Sequence, residues 1–318
     1  MSAMPAIHQV RIPTPIPPVE APNLRAGEEP AFVPGRLLVA SDGRSLSDGA
    51  LRLAREIGAR YSTAVSEVAV YEPRIPLPIS TELRPTGHGE TADEPAIASL
   101  EARVRGQRAR VIGEASDWPI RIQVGYPAVM IDRVARREAA DLVLAGLGPE
   151  LPQERRFTKL TALSVAYASD IPVLAVATSA WRLPTRVLVV LGYDEASLRA
   201  ARVAMALVED GGTVHLLHVR RGAPPWTLES SWALGQLFES AERGAAKRGI
   251  TVERQVIDGD PVPAILGAAE RRGIELIAAP LHGCTFAQRS VMPNLAAPLM
   301  RAASCSVLVV PCEGTNDR

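Results

Sequence analysis

Residues 274–311 read IELIAAPLHGCTFAQRSVMPNLAAPLMRAASCSVLVVP, and this stretch decides the fold. Two short apolar runs bracket it, one from Leu276 to Ala279 and one from Val307 to Val310, each bounded by Gly, Pro or Ser. Continuous rather than alternating runs of that length fit strands buried on both faces of a parallel sheet. Between them Leu295, Leu299, Met300 and Ala303 recur at helical spacing. The unit is strand, loop, helix, strand, which is a right-handed crossover. Its loop feeds a helix N-terminus, where free N–H groups can receive an anion.

Working outward, the same order of elements occurs twice. Strands are expected at 36–41, 65–70, 120–124, 141–146 and 172–177, with helices at about 47–60, 96–115, 127–139 and 158–168. The second pass has strands at 186–191, 213–219, 252–257, 276–279 and 306–310, with helices at 195–208, 228–248 and 261–271 and one around 295–303. Ser47 or Asp48, and later Asp258 or Asp260, are placed to cap helices. Pro127 and Pro261, Gly146 and Pro280, and Val173 and Val307 are each 134 positions apart, whereas Arg36 and Arg186 are 150 apart. The surplus of 16 (150 − 134) falls largely in the Pro-rich loop at 72–95. A constant offset across three landmarks marks a duplication. The expected divisions are a disordered Pro-rich leader at 1–34, a first domain at 35–180, a second at 181–312 and a tail at 313–318. The leader carries Pro13, Pro15, Pro17 and Pro18, a spacing that favours extended chain over helix or sheet.

Composition narrows the function classes. The 318 residues hold 35 basic and 35 acidic side chains, so no bulk field favours nucleic acid or an anionic membrane. Aromatics make up 4% of the chain and apolar residues 47%, which suits parallel sheets flanked by Ala-rich helices. No apolar run reaches membrane-spanning length, and the N-terminus lacks the pattern of a signal peptide. Three cysteines are an odd number, which argues against a disulfide framework and for a reducing cytoplasm. His282 and Cys284 are too few ligands for a metal site. His215 and His218 fall on opposite faces of one strand and cannot share a metal. Spacing singles out no nucleophile elbow, metal cluster or catalytic carboxylate pair.

Residues 303–310, ASCSVLVV, resemble the phrase that closes a universal stress protein domain, and the resemblance covers both repeats. It implies an α/β fold: two doubly wound, five-stranded parallel-sheet domains of the Rossmann-like, adenine nucleotide alpha hydrolase-like kind. In ATP-binding members an Asp after the first strand lies near the adenine. A motif of Gly, two residues, Gly, nine residues and Gly-Ser or Gly-Thr cradles the phosphates with backbone N–H groups. Here Ser41-Asp42-Gly43 keeps the first feature and Gly146 the first motif glycine. Pro149 and Lys159-Leu160 stand at the other motif positions, and Glu150 and Glu154 in the intervening loop oppose a polyphosphate. In the second repeat the motif positions are Pro280, Gly283, Pro293 and Asn294, and Gly192 stands where the Asp would be, with Asp194 two residues later. The candidate cofactor-binding residues are therefore Asp42, Gly43, Gly146, Gly283 and Asn294, and a turn-capping role for Asp42 is the competing reading.

The expected function is that of a tandem universal stress protein, non-catalytic, lacking intact ATP motifs and working through unidentified protein partners. An ATP-binding member with slow turnover, and an enzyme using unrecognised residues on the same scaffold, are the alternatives; ATP is the cofactor to test. Universal stress proteins commonly dimerise by pairing their fifth strands. The resemblance implies that here PVLAVA (172–177) and SVLVV (306–310) pair antiparallel within one chain, as an intramolecular pseudo-dimer.

Overall fold

The computed structural model describes residues 32–73, 93–114, 116–147, 158–192, 195–220, 248–281 and 295–312, with isolated positions between 235 and 245. The first half runs β1 (Arg36–Ala40), a 3-10 turn (Ser45–Ser47), α1 (Asp48–Tyr61), β2 (Ala64–Tyr71), α2 (Glu94–Ile112), β3 (Ile120–Val124), α3 (Pro127–Arg137), β4 (Leu142–Leu147), α4 (Thr158–Ala168) and β5 (Val173–Ala177). The second runs β6 (Arg186–Val190), α5 (Glu195–Leu207), β7 (Thr213–Arg220), β8 (Thr251–Asp258), α6 (Pro261–Arg272), β9 (Leu276–Leu281), α7 (Ala296–Ala302) and β10 (Ser306–Pro311). The helix expected at 228–248 lies mostly outside the described residues. Its described positions are helical, and Phe238 and Ala245 are in the core. Much of the 72–95 loop, and the leader up to residue 31, also lie outside them. Phe32 already packs on the core, and the Pro34 carbonyl accepts a 2.6 Å bond from Thr63 Oγ1.

The ten strands form one sheet in the order β3-β2-β1-β4-β5-β10-β9-β6-β7-β8. Each half is parallel, and the halves meet at the antiparallel pair β5–β10. Helices cover both faces. On one face Leu37, Val39, Leu174 and Leu308 pack with α1 and α5; on the other Leu38, Val173, Ile277 and Val307 pack with α3, α4, α6 and α7. Each of these cores runs unbroken across both halves, so the halves share one interior.

The joint has its own symmetry. Val173 pairs with Val309, Leu174 with Leu308 and Ala175 with Val307. Because equivalent positions in the two halves are 134 apart here, Leu174 and Leu308 are repeat equivalents that face each other. Exchanging the halves maps the remaining two pairs onto one another. The pseudo-two-fold axis therefore passes through the Leu174–Leu308 pair, as an isologous contact requires.

A second pair of equivalents fixes where each half begins. Asp141 Oδ2 accepts the Gly35 and Arg36 amides at 2.8 and 2.9 Å. Glu275, 134 positions later, accepts the Thr185 and Arg186 amides with Oε2 at 2.6 and 3.1 Å. Each carboxylate, just before a central strand, holds the chain entering the neighbouring first strand. Two expected caps are not formed as such. Ser47 occupies the N-cap position of α1 without a cap bond, because its hydroxyl donates back to the Arg44 carbonyl at 3.0 Å. Asp260 precedes α6 without a side-chain cap bond, and Asp258 is held by Arg220 at 2.7 and 2.6 Å.

Val173 and Val307 are fully buried, whereas Thr251 is exposed on the outer strand β8. Val307→Lys and Val173→Lys should each lower unfolding stability by about 3 kcal/mol or more, the scale of an uncompensated buried charge. Thr251→Lys should stay within about 0.5 kcal/mol, as surface changes do. Denaturant unfolding measures all three, and a Val307→Lys variant as stable as Thr251→Lys would contradict the shared core.

Candidate functional site

In an open α/β sheet the crevice for a ligand lies at the carboxyl ends of the strands where the order reverses. In the first half that point is between β1 and β4. Asp42, Gly43 and Gly146 do converge there, but each has a local task. Asp42 Oδ1 accepts the Arg44 amide at 3.1 Å, and its Oδ2 is 3.6 Å from Arg44 Nε. This is an Asx turn, the capping role, made by the short carboxylate reaching two residues on. Gly43 has φ +78°, and a Cβ there would stand 2.7 Å from Arg103 Cβ of α2. A Cβ on Gly146 would stand 2.3 Å from the Leu46 carbonyl oxygen. Gly146 is thus required so that the 3-10 turn can cross the end of β4, and backbone occupies the side of Gly146 where a Cβ would point.

Gly283 and Asn294 lie outside the described residues, as do Pro149, Glu150, Pro152, Glu154, Pro293 and Asp194. Positions 159 and 160, where the motif's Gly-Ser pair would stand, are in the first turn of α4. Pro280 is a buried strand residue of β9 beside Val310.

The structure adds a buried polar layer beneath α2 that the motifs do not indicate. Gln107 is its centre. Its Oε1 accepts from Ser41 Oγ at 2.6 Å. Its amide nitrogen reaches Asp48 Oδ1 at 2.7 Å, Ser47 Oγ at 3.1 Å and the Arg44 carbonyl. Asp48 is clamped by Arg110 through two bonds of 2.9 and 3.0 Å. Burial pushes the Asp48 carboxyl up, but the Arg110 and Gln107 hydrogen bonds and the Arg110 and Arg52 charges outweigh it, so it lies below the ordinary value. Next to this layer, Glu67 of β2 is 0% exposed. Its nearest charge is Arg108 Nη1 at 4.0 Å, and burial pushes its carboxyl up to about 7 against the pull of Arg108 and Ser41. Both residues carried a readable signal. Leu100, Val104 and Gln107 are at helical spacing, and Glu67 shares the inward register of Val65 and Ala69.

The second half closes its crevice differently. Ser197 Oγ accepts the Gly192 amide at 2.8 Å, and His218 Nδ1 meets the Leu191 carbonyl at 2.8 Å. Burial lowers the His218 pKa, against that bond, so the ring is neutral and Nδ1–H donates. His215, on the opposite face, stands 3.1 Å from Glu253 Oε2. Among the described residues no group of three His, Cys, Asp or Glu side chains could hold a metal ion. A cavity of about 220 Å³ at the joint between the halves is lined by Trp181, Arg182, Glu275 and Cys305, among others. Burial pushes the Cys305 thiol up to about 11, which favours the neutral thiol over the nucleophilic thiolate.

Gly146→Ala should destabilise the chain by about 1–3 kcal/mol, the range for forced overpacking. Asp42→Ala, which removes one half-exposed turn bond, should cost about 1 kcal/mol or less. Thermal or denaturant unfolding of the two variants checks this, and a Gly146→Ala variant as stable as the parent would contradict the close crossing.

Residues 35–177 and 184–311 each match the Universal stress protein family. No curated protein sequence matches the chain. Among solved structures, a universal stress protein from Archaeoglobus fulgidus DSM 4304 is similar at a TM-score of 0.62 and 18% identity, covering 89% of this chain and 99% of that one. A protein of unknown function from Pseudomonas aeruginosa PAO1 is similar at a TM-score of 0.53 and 14% identity, covering 87% and 92%. No helix of the described residues is long and apolar enough to cross a membrane. Two matched domains, one strand order in each half and a joint through the fifth strands lead to one conclusion: the chain belongs to the universal stress protein family, as a tandem member.

Proposed function

We propose that this tandem universal stress protein acts in the cytoplasm by binding protein partners rather than by turning over a substrate, and that it does not hold ATP in the family's usual manner. The observation that carries this reading is the use of the crevice by the chain itself. Asp42 is spent on Arg44, Ser41 and Ser47 on Gln107, and the space over Gly146 on Leu46. A nucleotide would have to displace bonds that are already made, and each buried group left unpaired costs about 1–3 kcal/mol. Sequence supports the same reading, since Pro149, Pro152 and Pro293 remove N–H donors that a phosphate cradle needs. Absence of a low-pKa thiol at Cys305 removes one route to covalent catalysis.

Titration calorimetry with ATP and Mg²⁺, paired with native mass spectrometry of the purified chain, tests the proposal. The expected result is no carried nucleotide and no binding tighter than about 1 μM, equivalent to −8 kcal/mol. Tighter binding that Asp42→Ala weakens would overturn it in favour of a nucleotide-binding member.

A further inference from the structure

Glu67 is an acid where the fold does not ask for one. It pairs with Val39 across β1–β2, and in the second half the residue at that register, opposite Val189, is Leu216. Leu216 is fully buried, as Glu67 is. Ser41, beside Glu67, likewise has apolar Leu191 as its equivalent, since each amide bonds the matching carbonyl of the second strand. The same scaffold is thus built once with an apolar layer and once with a buried carboxyl.

Neither oxygen of that carboxyl meets a donor with hydrogen-bond geometry, although the neighbouring Ser41 hydroxyl lies close enough to favour its charged form. The Ser41 hydroxyl beside it is committed to Gln107. Arg108, the cation facing it from α2, is 4.0 Å away and donates to the Trp118 carbonyl. From α1 comes Asp48, which is tied to Arg110, Arg52 and Gln107. Uncharged Leu37, Val39 and Ser41 come from β1 and its end, and Ile120 and Ile122 from β3. An ionised carboxylate without bonds is costly in such surroundings, whereas a protonated one is tolerated.

The element that buries Glu67 is held by a narrow apolar contact and by polar bonds from Gln107 and Arg110. Four of the 19 residues of α2 are buried, against seven of 14 in α1. Along its length its apolar hold is Leu100 and Val104 on Ala69, with Tyr71, Ile120 and Ile122 at the margin, and at its C-terminal end Ile112 joins the core that α1 shares. It ends at Gly113, which has φ +90° and open space where a Cβ would stand, a backbone able to pivot.

We propose that α2 is a proton-controlled cover on the first half's sheet: it docks when Glu67 is protonated and is released when Glu67 ionises. Release lets water reach the carboxylate and bares the apolar face formed by Ala69, Tyr71, Ile120 and Ile122, a surface a partner protein could use. The sign follows from the direction of the shift. The docked state holds the proton more tightly than the undocked one, so docking is fully favoured below the ordinary value of 4.5. It weakens as pH rises and levels off above about 7.

Hydrogen exchange of the full chain between pH 5 and 8.5, corrected for intrinsic chemical exchange, reads this directly. Protection of residues 93–112 should fall by roughly tenfold per pH unit up to about pH 7 and then level off, while α1 and β5 keep theirs. Glu67→Gln, neutral at every pH, should give a flat profile. Glu67→Leu, which installs the side chain of the second half, should do the same and serves if the Gln variant does not fold. A wild-type profile for 93–112 that does not change with pH would overturn the proposal, and so would a variant profile that follows pH as the wild type does.

Discussion

The antiparallel ladder between β5 and β10 is the interaction on which the rest of the structure depends. Without it each half is a parallel sheet that ends in an unpaired apolar strand, the arrangement most prone to aggregate. Its backbone bonds are individually modest, at about 1 kcal/mol net each. Their consequence is larger, because they set Val173, Leu174, Leu308 and Val309 at full burial and let the helices of both halves pack over one continuous interior. The outer strands β3 and β8 are treated in the opposite way. Both are partly exposed along their length, and β8 carries Glu253, Arg254 and Asp258, charges that discourage further pairing.

The fold was legible because its signals are local and repeated. Continuous apolar runs report strands buried on both faces, and the 134-residue offset reports the duplication. The strand expectations agree with the observed elements to within a few residues, as do the helix expectations that fall within the described residues. The caps were less legible. Ser47 and Asp260 have the right chemistry and stand at the right positions, but a side-chain oxygen bonds whatever donor or acceptor the tertiary structure brings nearest. For Ser47 that is the Arg44 carbonyl within its own turn and Gln107, a partner that no local window contains.

Part of the candidate site was placed by the sequence alone. Asp42, Gly43 and Gly146 stand together at the switch point. There α2 and the 3-10 turn approach the glycines within a Cβ's reach, and Asp42 accepts a bond within its own turn. Gln107 and Glu67, polar residues in buried registers, were the more informative signals. The two halves share one architecture and differ in this layer, with Ser41 and Glu67 in one and Leu191 and Leu216 in the other. Such a contrast shows that a fold leaves the chemistry at its strand ends and beneath its helices free to diverge.

Native-state hydrogen exchange resolved along the chain tests the central claim, that β5 and β10 form the middle of one sheet. The account predicts that amides of β5 and β10 exchange only through global unfolding, far more slowly than those of the outer strands β3 and β8. Exchange in β5 and β10 as fast as in β3 and β8 would contradict it.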